Sequence, residues 1–276
     1  MEAERKGTWA RVVLDSLHPE NGARLTTLEL NYPYIIHAEF MTHCAFARNA
    51  ASSRAIRTSK MIKAVQSDPF IPRRFPRTAN PDLGMNPDGF LEGDEAAEAE
   101  RAWMEAMDWG LNGARVLSGL KVHKQIASRV LMPFMHIRTL ASATEWENFY
   151  NLRSDSNAQD QIQDLAISMS YAMGSSVPVP RRHHLPFILE GEPEDFMASA
   201  GRCARISYLQ HNNSIDMAKD IERGLSLKKS GHMSPFEHQG IADPDARADS
   251  VSGKFRGWTQ FRKTLSNEAI WRPEAS

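Results

Sequence analysis

Asn49, Ser52, Ser53 and Arg54 fall within six positions of the stretch "THCAFARNAASSR", residues 42 to 54, with His43 and Cys44 side by side upstream. A phosphate is gripped by donors that converge without counter-ions of their own. Ser52 with Arg54 supplies a hydroxyl and a planar guanidinium fork from one segment. The His43–Cys44 pair raises a second chemistry, because a thiolate beside an imidazolium is an activated nucleophile. Plainer roles compete with both. Ser52 can cap a helix, an arginine can sit in an ion pair, and a lone cysteine is most often a packing residue.

The elements that must hold these residues follow from the hydrophobic pattern. "RLTTLELNYPYIIHAEFM" alternates through Leu25, Leu28 and Leu30 as a half-buried strand does, and Pro33 then opens an amphipathic helix with Ile35, Ile36 and Phe40. The motif therefore falls at a helix end and in the loop beyond it. Residues 69 to 90 carry five prolines, too many for regular structure, and are expected to form a long surface loop. Helices are predicted over 93–117, with Trp103, Met107, Leu111 and Ala114 on one stripe, and over 121–132, stopped by Pro133. A further helix places Ile162, Leu165, Met169 and Met173 on one face, with Asp155 or Ser156 as its cap, and another covers 216–229.

The 276 residues suffice for one enzyme-sized core, and 33 basic against 34 acidic side chains give no reason to expect a nucleic acid or an anionic membrane as partner. Two cysteines far apart fit a reducing compartment. The N-terminus has no signal-peptide core and no run of about eighteen apolar residues occurs, so the expectation is a cytoplasmic protein. His183 and His184 have no partners at metal-ligand spacing, and no metal site is expected. The organisation reads as 1–174, a proline-rich linker over 175–193, and 194–276.

Separated stretches point in one direction. "RNAASSR" (48–54), "SRVLMPF" (128–134), "NFYNLRSDSNAQ" (148–159), and "ARISY" (204–208) with "SGHMSPFEH" (230–238) together resemble the flavin-dependent thymidylate synthases. That family carries an Arg-His-Arg…Asn-Glu-x-Ser-x-Arg signature, an Ala-Arg-x-x-Leu-Pro helix, an Asn-Leu-Arg-x-Asp-Ser-x-Ala-Gln helix start and a Gly-His-x-Thr-Pro-Phe-Glu-His segment. Here the last element follows the signature instead of preceding it, so the chain looks circularly permuted. In addition, 255–272 can be laid on the family's helix and signature through Arg256, Trp258, Arg262, Asn267, Glu268 and Arg272, which suggests a partial duplication. An ordinary basic amphipathic helix is the alternative for that segment. In the first copy His43, Asn49, Ser52 and Arg54 match, while Thr42 and Cys44 replace both arginines and Ala50 the glutamate.

The resemblance implies an α+β fold with a central antiparallel sheet flanked by helices. It implies a pyrimidine deoxynucleotide monophosphate as substrate, bound by Ser52, Arg54, Arg129 and Arg153, with Arg153 catalytic because it would stabilise charge on the ring carbonyls as C5 becomes nucleophilic. Neither the one-carbon unit nor the hydride can come from a side chain; the family draws them from methylenetetrahydrofolate and from FAD reduced by NADPH. Matching cofactor positions are His43, Asn49, Asn148, Ser207, His232 and Ser234. Thr42, Cys44, Thr144 and Asn157 stand where the family has cations or histidine, and Arg262 would restore one cation. Family members are homo-oligomers with active sites shared between chains, so a tetramer or a dimer is expected. Conversion of dUMP to dTMP, a dCMP substrate, a hydroxymethyl product, and a nucleotide-binding homologue without flavin chemistry all remain open at this point. Cys44 as a nucleophile at C6 is a separate possibility.

Overall fold

The structure is a computed structural model describing residues 7–78, 87–208 and 216–269. Arg272 and the middle of the 69–90 stretch lie outside the described residues. The fold is α+β. Strands β1 (Trp9–Leu17) and β2 (Arg24–Pro33) pair as an antiparallel hairpin, and the short helix α1 (His37–Met41) leads into the edge strand β3 (Ala47–Ala50). Helices α2 (Thr58–Ser67), α3 (Gly93–Gly119) and α4 (Lys124–Ala127) precede β4 (His136–Ala143), which runs antiparallel between β2 and β3. Helices α5 (Glu147–Arg153) and α6 (Asp160–Gly174) follow, and β5 (Val179–Pro180) joins β1 in parallel, giving the order β3-β4-β2-β1-β5.

Beyond this sheet come β6 (His183–His184), helices α7 (Phe196–Cys203) and α8 (Met217–Ser230), and β7 (Gly240–Ile241). A two-residue ribbon, β8 (Val251–Ser252) with β9 (Phe255–Arg256), and β10 (Thr259–Gln260) complete the described chain; β10, β7 and β6 form a small second sheet. The stretch expected as a linker, 175–193, thus contributes one strand to each of the two larger sheets.

Helix α6 lays Ile162, Leu165 and Met169 on β1 and β2, where they join Leu28, Leu30, Tyr32 and Phe149 in the largest apolar cluster. A second cluster forms where Met61 and Val65 of α2 meet Met107, Leu111 and Ala114 of α3. Strand β2 departs from its expected half-burial. Its polar residues Thr26, Thr27 and Glu29 are fully buried; Thr26, on the face of Leu28 and Leu30, donates to Asp15 Oδ1, while Thr27 lies on the opposite face under His184 of the later chain. There Ser16, His184, Thr27, Ser142 and His238 form a continuous hydrogen-bonded chain with links of 2.8, 2.7, 2.6 and 2.9 Å.

Three further expectations are corrected. The helix predicted over 121–132 is instead the single turn α4 followed by a 3-10 helix, Arg129–Phe134, that contains Pro133. Ser128 Oγ donates back to Lys124 O at 2.5 Å, and Val130 O passes close enough to Gly110 of α3 that a Cβ there would lie 3.0 Å away; a continuous helix would lose this packing. Helix α6 begins at Asp160 with Gln159 at its N-cap, and Asp155 accepts from Asn157 N in a turn of its own. Residues 255–264 are extended and then 3-10, not an α-helix. Gly257, at φ +73°, turns the chain between β9 and β10, where a left-handed residue is required.

Candidate functional site

The motif that opened the sequence reading surrounds β3. Asn49 lies in that strand and not in a loop, because Ala47–Ala50 pair with Ser142–Thr139 of β4. On its free side β3 meets two 3-10 segments, Ala204–Tyr208 and Ser234–Glu237. Asn49 Nδ2 donates to Cys203 O at 3.2 Å, Ser207 Oγ to Ala50 O at 3.5 Å, and Ser52 N to Ser207 O at 3.2 Å. Asn49, Ser52, Ser207 and the turn carrying Ser234 are therefore brought to one edge of the sheet. Asn148 is exposed on α5. His232 is exposed as well, with Nδ1 3.0 Å from Ser230 Oγ.

At the start of β3, Arg153 Nε donates to His43 Nε2 at 3.2 Å. His43 is seated by Phe149, whose ring meets it edge-on at 4.8 Å, so the C-terminal turn of α5 and the turn before β3 are locked together. Burial holds the His43 imidazole below its ordinary pKa, and the nearby Arg153 and Arg48 charges add to that. The ring is neutral near pH 7. Arg153 is thus positioned by a lone pair and not by a carboxylate, and its charge stays available. The same neutrality removes the imidazolium that would activate Cys44, whose exposed thiol points to Thr42 O at 3.5 Å. Arg48, to which the motif reading gave no role, donates to Phe40 O and Met41 O at the end of α1 and so braces the turn that carries His43.

At the other end of β3, Ser52 Oγ accepts from Arg54 N at 3.3 Å, and the Arg54 side chain is exposed, with no carboxylate partner among the described residues. Residues 40 to 67 contain Arg48, Arg54, Arg57, Lys60 and Lys63 and no Asp or Glu. Lys124 Nζ donates to Ala55 O at 3.0 Å, which ties this loop to the segment carrying Arg129; Arg129 Nε donates to Gln125 O at 3.0 Å. Arg153 meets His43, before the first residue of β3, and Arg54 follows its last, so the strand lies between the two contacts.

The expected rescue by Arg262 is not available in this chain: its guanidinium pairs with Glu237 and Glu268. Arg256, beside Thr144, pairs with Glu145. Of the cations that the resemblance places on the cofactor side, Arg262 and Arg256 are thus both paired with glutamates. Among the described residues no cluster of three His, Cys, Asp or Glu side chains could hold a metal ion.

A cleft of about 480 Å³ opens on the other side of the same loop, between α2 and the β1, β2 and β4 strands. Ala51 and Ser53 line it, together with Trp9, Tyr34, Lys60 and His136. The motif reading gave roles to Ser52 and Arg54, the alternate residues, and none to Ser53, and so missed it. Only the apolar period of α2, Met61 and Val65 with Lys60 just before them, hints at such a wall. No helix among the described residues is long and apolar enough to cross a membrane. No protein-family model matches the chain, and no curated protein matches its sequence at a significant level.

Proposed function

We propose that the protein transfers a one-carbon unit to C5 of a pyrimidine deoxynucleotide monophosphate, as a permuted relative of the flavin-dependent thymidylate synthases, with dUMP as the first substrate to test and dCMP as the second. The observation that carries this reading is Arg153. A guanidinium held by a neutral imidazole keeps its charge for an anionic ring, whereas one held by a carboxylate does not. The acid-free run around Ser52 and Arg54 suits the phosphate, with Arg129 on the segment that Lys124 ties to the same loop. One nucleotide is then gripped at both ends of β3, or by Arg153 of one copy and the Ser52–Arg54 loop of another in a dimer or tetramer.

Reduced FAD would supply the hydride, methylenetetrahydrofolate the carbon and NADPH the electrons. The chain's own task is binding and charge stabilisation. A second reading, a nucleotide-binding protein without flavin chemistry, is favoured by the engagement of Arg262 and Arg256 with glutamates. The visible absorption band of the purified protein and the release of tritium from C5-labelled dUMP and dCMP separate the two. Release that depends on flavin supports transfer; binding of the nucleotide by a colourless protein that cannot be reconstituted supports the second reading.

A further inference from the structure

Helix α3 is apolar on two opposite faces, and the described chain covers one of them. Met107, Leu111 and Ala114 are buried against α2. On the other side Trp109 is 76 % exposed, Val116 53 % and Leu120 72 %. With Glu105 and Asn112, both exposed, these residues recur at steps of four, three, four and four, the spacing of a seam that faces another helix. Val130 widens the seam, since it is exposed and a Cβ on Gly113 of α3 would lie 4.0 Å from its Cγ2. An apolar stripe of this kind on a helix surface marks a contact with another protein.

The charges along α3 bear on which protein. Residues 94–108 carry six carboxylates and one arginine, whereas 109–124 carry Arg115, Lys121 and Lys124 and no carboxylate. Two such helices side by side in parallel would set like charge against like. Antiparallel, each acidic half lies along the basic half of its mate. Asp108 and Arg115 are seven residues apart, about two turns, and so share one flank of the helix. A two-fold axis near Asn112 brings Asp108 of each copy opposite Arg115 of the other. Glu105, Asp108 and Arg115 form no ion pair among the described residues, so their charge is left for such a contact. The same axis seats Val116 of one copy beside Trp109 of the other, over the open groove that Glu105, Asp108, Trp109 and Asn112 line. Asn112 then meets its own counterpart. An amide both donates and accepts, so it is self-complementary there and fixes the register.

We propose that α3 is a face through which two copies of this chain pair, antiparallel and two-fold, with Trp109 and Val116 as anchors. The pairing goes beyond the C5-transfer reading and does not rest on it, since Ser52, Arg54 and Arg153 take no part in the contact. From Glu105 to Leu120 the seam is about 23 Å long at about 1.5 Å per residue, a small contact whose dimer dissociates on dilution.

Sedimentation velocity of the full chain between about 1 and about 100 μM, the range in which a small interface half-dissociates, tests the pairing. The expected result is a species of twice the 31.0 kDa chain mass that grows with concentration. Trp109→Ser should weaken it about tenfold or more, as loss of a central aromatic anchor does. Asp108→Arg and Arg115→Asp each set like charges together and should each weaken it, and the double exchange should restore it. All three positions are exposed, so the variants keep their fold, which melting curves check. An oligomer larger than a dimer that Trp109→Ser halves also supports the pairing. A wild-type chain that stays monomeric at the highest concentration leaves the stripe to a different protein and overturns the proposal. So does an oligomer that Trp109→Ser and the single charge reversals leave intact, or a double exchange that pairs no better than either single one.

Discussion

In the α7–α8 pair, Arg202, Arg205 and Arg223 all reach Asp220, at 3.0, 2.5 and 2.7 Å, and Arg202 also chelates Glu192. Around β3, by contrast, Arg54 has no carboxylate partner among the described residues, and Arg153 rests on a neutral histidine. Both regions are rich in arginine. What separates them is the counter-ion. Asp220 is fully buried, and the helices that hold it approach so closely that a Cβ on Gly201 would lie 2.1 Å from Asp220 O. The guanidiniums there are consumed in fixing the helix crossing. Those at β3 are presented at a sheet edge, Arg54 within an acid-free run and Arg153 on a neutral imidazole, the arrangement that leaves charge for a ligand.

The sharpest way to break this contrast is to exchange the effects. Asp220→Asn should lower the unfolding free energy by about 3–5 kcal/mol, because it strands buried guanidiniums without their partner. Urea denaturation measures it, and nucleotide affinity of the surviving folded fraction should be unchanged. Arg153→Ala should do the reverse. C5 tritium release should fall by about 10²–10³, the usual cost of losing one preorganised donor to developing charge, while the urea midpoint stays close to the wild type. If Arg153→Ala unfolds the protein and Asp220→Asn does not, the division between the two regions is wrong.

Much of the framework was legible before any coordinates. Helix α3 with its Met107–Leu111–Ala114 stripe, and α8, fall within a residue or two of the stretches where they were expected. The acid-free run is also visible in the sequence. What sequence could not disclose depends on partners distant along the chain. Thr27 reads as solvent-facing until His184 covers it. Ser128 breaks a helix that local propensity favours, because Val130 must pass over Gly110. Arg262 looked like a spare cation, and its two glutamates only meet it through the fold. The cleft escaped for a different reason. Which of two alternate residues in 51–54 faces it is set by the register of β3 on β4, and no local signal encodes that.

The buried chain across β2 offers a pH test of the same principle, that charge in the interior is set by what packs against it. Burial pushes His184 down to about 3, with the neighbouring His238 and Arg181 charges adding to the effect, and burial with Lys254 pushes His238 down to about 3. The unfolded chain protonates both near the ordinary value of about 6.5. Between those limits the unfolded state binds more protons, so stability is complete above about pH 6.5 and declines as pH falls, by up to about 1.4 kcal/mol per pH unit for each ring. The upper part of this window is diagnostic. Arg202 holds the Glu192 carboxyl down to about 2, so its contribution is lost only below the ordinary carboxylate range. A urea midpoint that stays flat from pH 7 to about pH 5 would show that neither histidine is held neutral by the fold.

The smallest expected change sharpens the comparison most. Arg54 is exposed, and only its backbone N–H is engaged, by Ser52 Oγ. Arg54→Ala should therefore leave stability within about 0.5 kcal/mol of the wild type. It should still weaken dUMP by about tenfold while leaving deoxyuridine affinity unaltered, because only the phosphate loses a charged fork. Isothermal titration with the nucleotide and the nucleoside in parallel reads both. Equal losses for the two would mean that Arg54 shapes the loop instead of meeting the phosphate, and the unpaired guanidinium at the edge of β3 would then be an ordinary solvated side chain.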